Sequence, residues 1–323
     1  MTEPRLIAVG ETTYVARGGD PSPPEASSFY RERGFSLNAD FGIESLPAEG
    51  LQYGLNLGIG PNYRATQISG LRIDAPLDFH QFYVGYRRGL FYMDAGRRDG
   101  PMAFYTIRPV TNHPITGALD PRDFTRPDPA WSNVPFTDLS VRAGVITDKA
   151  SLLFSVGPGP DLLSDNNGSP YFFTNFTWTQ SSHFYLFGNY QVGASQQNNN
   201  THMRHSADLG LTFEGEGYRV QLYGVVRRDR LLTGALQVWH GENIYFRFRP
   251  QGSPLALVVR AGYSHFDWDN INFAAGLNCY LLHETLRVSA QIDTNHAVDA
   301  QRPFHSQASE IVGTLQLAYT LSN

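Results

Sequence analysis

Apolar and polar residues alternate along most of this chain in short runs, and the stretch FHQFYVGYRRGLFYMDAGRR (79–98) shows the pattern best. Phe82, Val84 and Tyr86 share one parity, with Gln81, Tyr83, Gly85 and Arg87 on the other. After an Arg-Arg-Gly turn, Phe91, Met93 and Ala95 alternate with Tyr92, Asp94 and Gly96. Successive side chains on a strand point to opposite faces, so this predicts a hairpin with one apolar and one polar face.

The same period recurs on both sides of that hairpin. Upstream it predicts strands over 5–16, 34–44 and 51–60, with loops over 18–33 and 61–77. Downstream it predicts strands over 139–145 and 151–157, then hairpins 171–180/183–194, 206–214/218–228, 243–249/255–266 and 271–281/286–294, and a last strand over 310–322. Polar loops are expected over 196–205 and 295–308. This makes about sixteen strands, with short turns alternating with longer loops. The segment 231–240, LLTGALQVWH, could add a seventeenth strand; a single-chain bacterial barrel takes an even number, so it is assigned to an extended loop. Between 99 and 136 the alternation stops. Seven of the 20 prolines fall there, and proline removes ladder donors and fixes φ, which excludes sheet interior. A loop of this length is usually functional or disordered; Phe104, Tyr105, Phe124 and Trp131 favour one that packs.

The two faces are unusual in kind. Phe35, Leu37, Ala39, Phe41 and Ile43 oppose Ser36, Asn38, Asp40, Gly42 and Glu44. One side is greasier than a water-facing sheet tolerates, the other more polar than a core. Hydrocarbon outside and a wet lumen inside satisfy both, which predicts an all-β, single-domain (1–323) transmembrane antiparallel up-and-down barrel whose long third loop folds into the lumen. No apolar run nears the ~18 residues of a membrane helix. The 17% charged content is below the roughly 25% of soluble domains. A net charge of -5 argues against a nucleic-acid partner. One cysteine, Cys279, excludes an internal disulfide and a Cys-based metal site, and its parity makes it an apolar filler. Residues 1–4, MTEP, lack a basic region leading into an apolar core, so export requires this to be a mature chain.

If the greasy faces meet lipid, parity fixes the lumen set: Arg87, Arg142, Arg219, Arg227, Arg247, Arg249, Arg260 and Arg287, with Asp40, Glu44, Asp94, Asp208, Glu214 and Asp293. Arg247 and Arg249, set between Phe246 and Phe248, are the clearest case, because unpartnered guanidinium groups in a dry core would be prohibitive. In a wet lumen fixed charges select ions and orient polar solutes; alternatively these arginines only brace the wall through salt bridges. Asp120, Asp123 and Asp128 in the insertion would face the arginines and narrow the pore. Alternatively the insertion covers the mouth as a lid, its acids neutralised by Arg122 and Arg126. No G-x-S-x-G, H-E-x-x-H or P-loop is present, and the histidines are scattered. No cofactor, metal site or covalent chemistry is expected.

Two stretches carry a family resemblance. FYVGYRRGLFYMDAGRRDGPMAFY resembles the hairpin before the constriction loop of Gram-negative general porins, and RGFSLNADFGIESLPAEGLQYGLNLGIG resembles their second and third strands. The chain departs from them at 319–323, which read YTLSN where those porins end in Phe. The resemblance implies a 16-stranded barrel, usually a homotrimer, in the outer membrane of a Gram-negative bacterium, in contact with membrane lipid and lipopolysaccharide. Small hydrophilic solutes and ions would diffuse through it. It also implies eyelet acids at Asp120, Asp123 and Asp128, with Arg87, Arg98 and Arg142 as eyelet bases.

Three rivals stay open: a substrate-specific channel for sugars or an anion such as phosphate, a soluble all-β binding or structural protein, and a barrel-borne lipid hydrolase. The barrel expectation is checked by electrophoresis. The purified chain should need detergent for solubility and change its migration on boiling; a detergent-free monomer with one migration would support the soluble protein.

Overall fold

The computed structural model describes residues 4–20, 30–59, 62–66, 70–74, 77–99, 137–157, 171–181, 183–197, 200–230, 236–265, 269–282, 285–297 and 309–322. The 99–136 insertion, with Asp120, Asp123 and Asp128, therefore lies outside the described residues beyond Asp99.

All described regular structure is β. The strands are β1 (Arg5–Asp20), β2 (Tyr30–Ser45), β3 (Gly50–Ile59), β4 (Asn62–Thr66), β5 (Gly70–Asp74), β6 (Leu77–Arg88), β7 (Phe91–Asp99), β8 (Thr137–Ile146) and β9 (Ala150–Gly157). They continue with β10 (Tyr171–Ser181), β11 (Phe184–Gln197), β12 (Asn200–Gly215), β13 (Tyr218–Arg230), β14 (Leu236–Phe248), β15 (Leu255–His265), β16 (Asp269–Leu281), β17 (Leu286–Ala297) and β18 (Ser309–Ser322). All eighteen belong to one sheet.

The pairing closes on itself. β1 pairs antiparallel with β2 and with β18. β2 continues to β3 and β3 to β6. From β6 each strand pairs with the next in sequence through β18. Eighteen strands less β4 and β5 leaves a ring of sixteen, the expected count. Closure leaves the ring strands no open edge, the condition for a sheet to sit in hydrocarbon. Short turns, such as Gly89–Leu90 and Glu216–Gly217, join strands at one end, here the turn side, where the first strand begins and the last one ends. The strand ends that flank the insertion and the other long connections lie at the opposite end, the loop side. Gly217 shows why the turns carry glycine: its φ is +80°, and a Cβ would meet the Arg249 carbonyl oxygen at 2.5 Å.

Several expected loops are strands. Within 61–77, β4 and β5 form a hairpin, and β4 pairs with Glu32–Ser36 of β2. Most of 196–205 extends β11 and β12, whose ladder runs to Gln197↔Asn200. The second half of 231–240 is neither a loop nor a seventeenth strand: Leu236–His240 is the start of β14, paired with Val226–Arg230. The reason is common to all three. Beyond the hydrocarbon both faces of a hairpin meet water, so alternation fades while the backbone still needs its ladder partners.

Parity inside the ring follows the sequence expectation. Phe82, Val84, Tyr86, Phe91 and Met93 are exposed on the outside, whereas Tyr83, Tyr92 and Asp94 are buried inside. Phe246 and Phe248 are 36% and 45% exposed, while the Arg247 side chain between them is 11% exposed. The inner wall is not wholly polar: Ala256, Val258, Ala274 and Tyr280 form a small buried cluster. Phe187 is fully buried. Its cross-strand partner is Gly210, where a Cβ would fall 2.1 Å from the Phe187 ring. The ring lies over the glycine and stacks on Tyr223 with centroids 6.1 Å apart. Tyr83 covers its own partner, Gly54, in the same way. Gly210→Ala should overpack this site and destabilise the barrel by about 1–3 kcal/mol, read as a lower denaturant midpoint for loss of the compact electrophoretic band; an unchanged midpoint would show that the ring moves aside freely.

Candidate functional site: the charged inner wall

Two sectors of the inner wall carry most of the described charge. In the first, register does the positioning. Asp94 of β7 lies opposite Gly85 of β6 and opposite Arg142 of β8. Gly85 leaves room, since a Cβ there would meet the Asp94 Cβ at 2.9 Å. Arg142 Nε and Nη2 donate to the two Asp94 carboxylate oxygens, each at 2.9 Å, and the Tyr92 hydroxyl donates to Asp94 Oδ2. The side chains of this pair are 6% and 2% exposed. A bidentate fork of this kind is the geometry for which arginine is suited and lysine is not.

The second sector runs from β11 to β18. Glu214 of β12 faces Arg219 of β13, which faces Arg247 of β14. Like charges directly opposite destabilise a ladder, and here acceptors surround them. Arg247 Nη2 donates to Glu214 Oε1 at 3.2 Å, and Arg219 Nη2 donates to the Tyr185 hydroxyl. Arg249 lies 4.4 Å from the Tyr280 ring centroid and donates from Nε to the Ser253 carbonyl at 2.8 Å. Arg287 Nη2 donates to Gln316 Oε1. Arg260 is buried on the same face of β15.

At the edge of the second sector, an amide chain crosses β10, β11 and β12. Asn175 Nδ2 donates to Asn189 Oδ1 at 2.6 Å, and Asn189 Nδ2 donates to Asp208 Oδ1 at 2.7 Å. All three residues are buried. They are direct ladder neighbours of like parity.

This architecture has clear counterparts among solved structures. The anion-selective porin from Comamonas acidovorans is similar over 99% of this chain and 100% of its own, with a TM-score of 0.70 at 10% identity. The chain has the fold of the outer-membrane porins. OprB of Pseudomonas putida is similar at a TM-score of 0.65 and 10% identity, over 99% of this chain and 94% of that one. OmpT, an outer membrane protein of Vibrio cholerae solved in a trimer form, gives 0.57 and 8%, over 98% and 99% of the two chains. No protein-family model matches the sequence, and no curated protein matches it at the sequence level.

Within the porin fold, the predicted lumen residues distribute by height as well as by parity. Arg87, Arg219, Arg247 and Arg287 each lie one residue inside the turn-side end of a strand, and Arg249 one residue past the end of β14. Arg142 and Arg260 stand deeper. Arg87 is thus at the opposite end of its strand from the roots of the insertion, Asp99 and Thr137, and Arg142 is held by Asp94 rather than standing alone. Arg98 belongs to the β7 ladder, opposite Asp138; its side chain, with those of Asp40, Arg227 and Asp293, lies outside the described ones. Glu44 is buried inside β2. The sequence reading missed Tyr92, Asn175, Asn189 and Tyr185 as site residues; Tyr92 shares the inward parity of Asp94 on its own strand, Asn189 and Tyr185 lie beside the charged strand β12, and Asn175 has no charged residue on its own or a neighbouring strand to signal it.

Asp94→Asn should leave a buried guanidinium without its counter-charge and cost about 3–5 kcal/mol of stability. The double variant Asp94→Asn/Arg142→Gln should recover part of that loss in the same denaturant titration. Equal midpoints for wild type and Asp94→Asn would mean that the pair contributes nothing to the fold.

Proposed function

We propose that this chain is a passive outer-membrane porin of a Gram-negative bacterium, forming a water-filled channel for small hydrophilic solutes and ions. The observation that supports it best is one ring of sixteen strands with large apolar side chains outside and paired charges inside. A soluble sandwich has no use for such an outer face. Proteins of this fold include the anion-selective porin named above, and one of them has been solved as a trimer; both features fit a homotrimeric channel here.

Selectivity in this reading comes from the arginines. Among the described side chains on the inner wall, Arg87, Arg142, Arg219, Arg247, Arg249, Arg260 and Arg287 outnumber Glu44, Asp94, Asp208 and Glu214. A wall with that excess lowers the energy of anions inside it, most strongly where low-dielectric walls focus the field. Asp120, Asp123 and Asp128 of the insertion supply the acidic side of the constriction. A substrate-specific channel shares these features and differs in showing saturable block by one solute.

Planar-bilayer recording under a KCl gradient tests the channel. The expected outcome is a stepwise conductance with a reversal potential on the chloride side, moved toward zero by Arg219→Gln/Arg247→Gln/Arg287→Gln. Closures in groups of three would support the trimer. A folded protein that inserts without conducting, or a wild-type reversal potential on the potassium side, would overturn the corresponding part of the proposal.

A further inference from the structure

We infer that the turn-side end of the inner wall holds a subsite for small hydroxylated carboxylates, the chemical class of the sugar acids. The inference rests on the channel reading and gives it a preferred solute class. The site occupies the contiguous strands β3, β6, β7, β8, β9 and β10. A cavity of about 370 Å³ opens there, bounded by the turns around Pro47 and Asp148, within the roughly 300–1,000 Å³ of small-molecule sites.

Its chemistry is specific. Arg87, Arg142 and Lys149 line it. Against Asp148 in the lining and Asp94 behind Arg142, three cations less two acids leaves one positive charge. A monoanion matches that remainder. Two lining groups are buried with no hydrogen-bond partner in the protein: the Nε donor of Arg87 and the Oδ1 acceptor of Asn175. Asn175 is 1% exposed, and its Nδ2 is already committed to Asn189. Ser151 and Thr177, on β9 and on the Asn175 strand β10, add two hydroxyls 2.7 Å apart to the lining. A carboxylate can accept from Arg87 but cannot donate to Asn175; a hydroxyl can donate to Asn175. A solute with both groups satisfies both. A neutral sugar leaves the charge uncompensated, and a plain carboxylate leaves the amide oxygen unpaired, the kind of mismatch by which polar sites reject analogues.

The rim is fixed. The Thr147 hydroxyl accepts from the Ala150 N–H at 2.8 Å, and the Thr179 N–H donates to the Lys149 carbonyl at 2.6 Å. This ties the β8–β9 turn to β10 and holds Lys149 at the cavity edge.

Lys149 is the only lysine in the chain, so an amine-acetylating reagent reports on the subsite, with the terminal amine as internal reference. The full chain in detergent is acetylated with gluconate, glucose or propionate present, and the modified fraction is read by mass spectrometry. Gluconate should slow Lys149 acetylation at least threefold, saturably, and leave the terminal amine unaffected; glucose and propionate should not. Arg87→Gln and Thr177→Val, each verified as folded by heat-modifiable migration, should weaken this protection at least fivefold. Absence of protection, equal protection by glucose or propionate, or full protection in both variants would overturn the subsite. The readout needs no conduction: protection in a chain that does not conduct would remove the channel reading and leave the subsite standing, and conduction without protection would do the reverse.

Discussion

A backbone in hydrocarbon must satisfy its own hydrogen bonds, and here that requirement governs everything else. It forces each of the sixteen ring strands to have two neighbours, which closes the sheet. Closure separates an outer face from an inner one, and the two-residue period of a strand assigns every side chain to one or the other. Phe246 and Phe248 go to lipid and Arg247 goes to the wall for this single reason. The same registers then decide which charges meet. Asp94 reaches Arg142 because their Cα atoms are ladder partners, and Asn175, Asn189 and Asp208 form a chain because β10, β11 and β12 align them.

Much of this was legible in the sequence, where two solvents act on one strand. Lipid on one side and water on the other imprint a period that survives single exceptions. The even number of a closed barrel brought the count to sixteen, and most ring strands were readable from alternation. Strand ends were not. Leu236–His240 and the β4–β5 hairpin lie where the contrast between solvents weakens, and there only pairing reveals the strand. Nor was the inner wall as polar as alternation suggests: Phe187 and Val258 point inward, because a packed patch of wall tolerates apolar groups that touch each other rather than water. Partner choice was illegible too. Nothing in local spacing says that Asp94 belongs to Arg142, 48 positions away.

Charge on this wall is graded along the axis. Four of the described inward arginines stand one residue from a turn-side strand end, and Arg249 follows directly on β14. Burial does not follow this gradient: Arg219 and Arg287 near the turn side are as buried in the wall as the deeper Arg142 and Arg260. The turn-side rim of the inner wall therefore carries more of the described arginines than the middle of the wall does. The cavity lined by Arg87 lies at that same end.

Gly210 carries no functional group and lies beneath another residue, yet it governs how wide the conduit is at its level. Because nothing projects from it, the Phe187 ring can recline along the wall instead of standing across the bore. Gly54 does the same for Tyr83. The calibre of the opening is therefore set partly by missing atoms, at positions that no passing molecule touches.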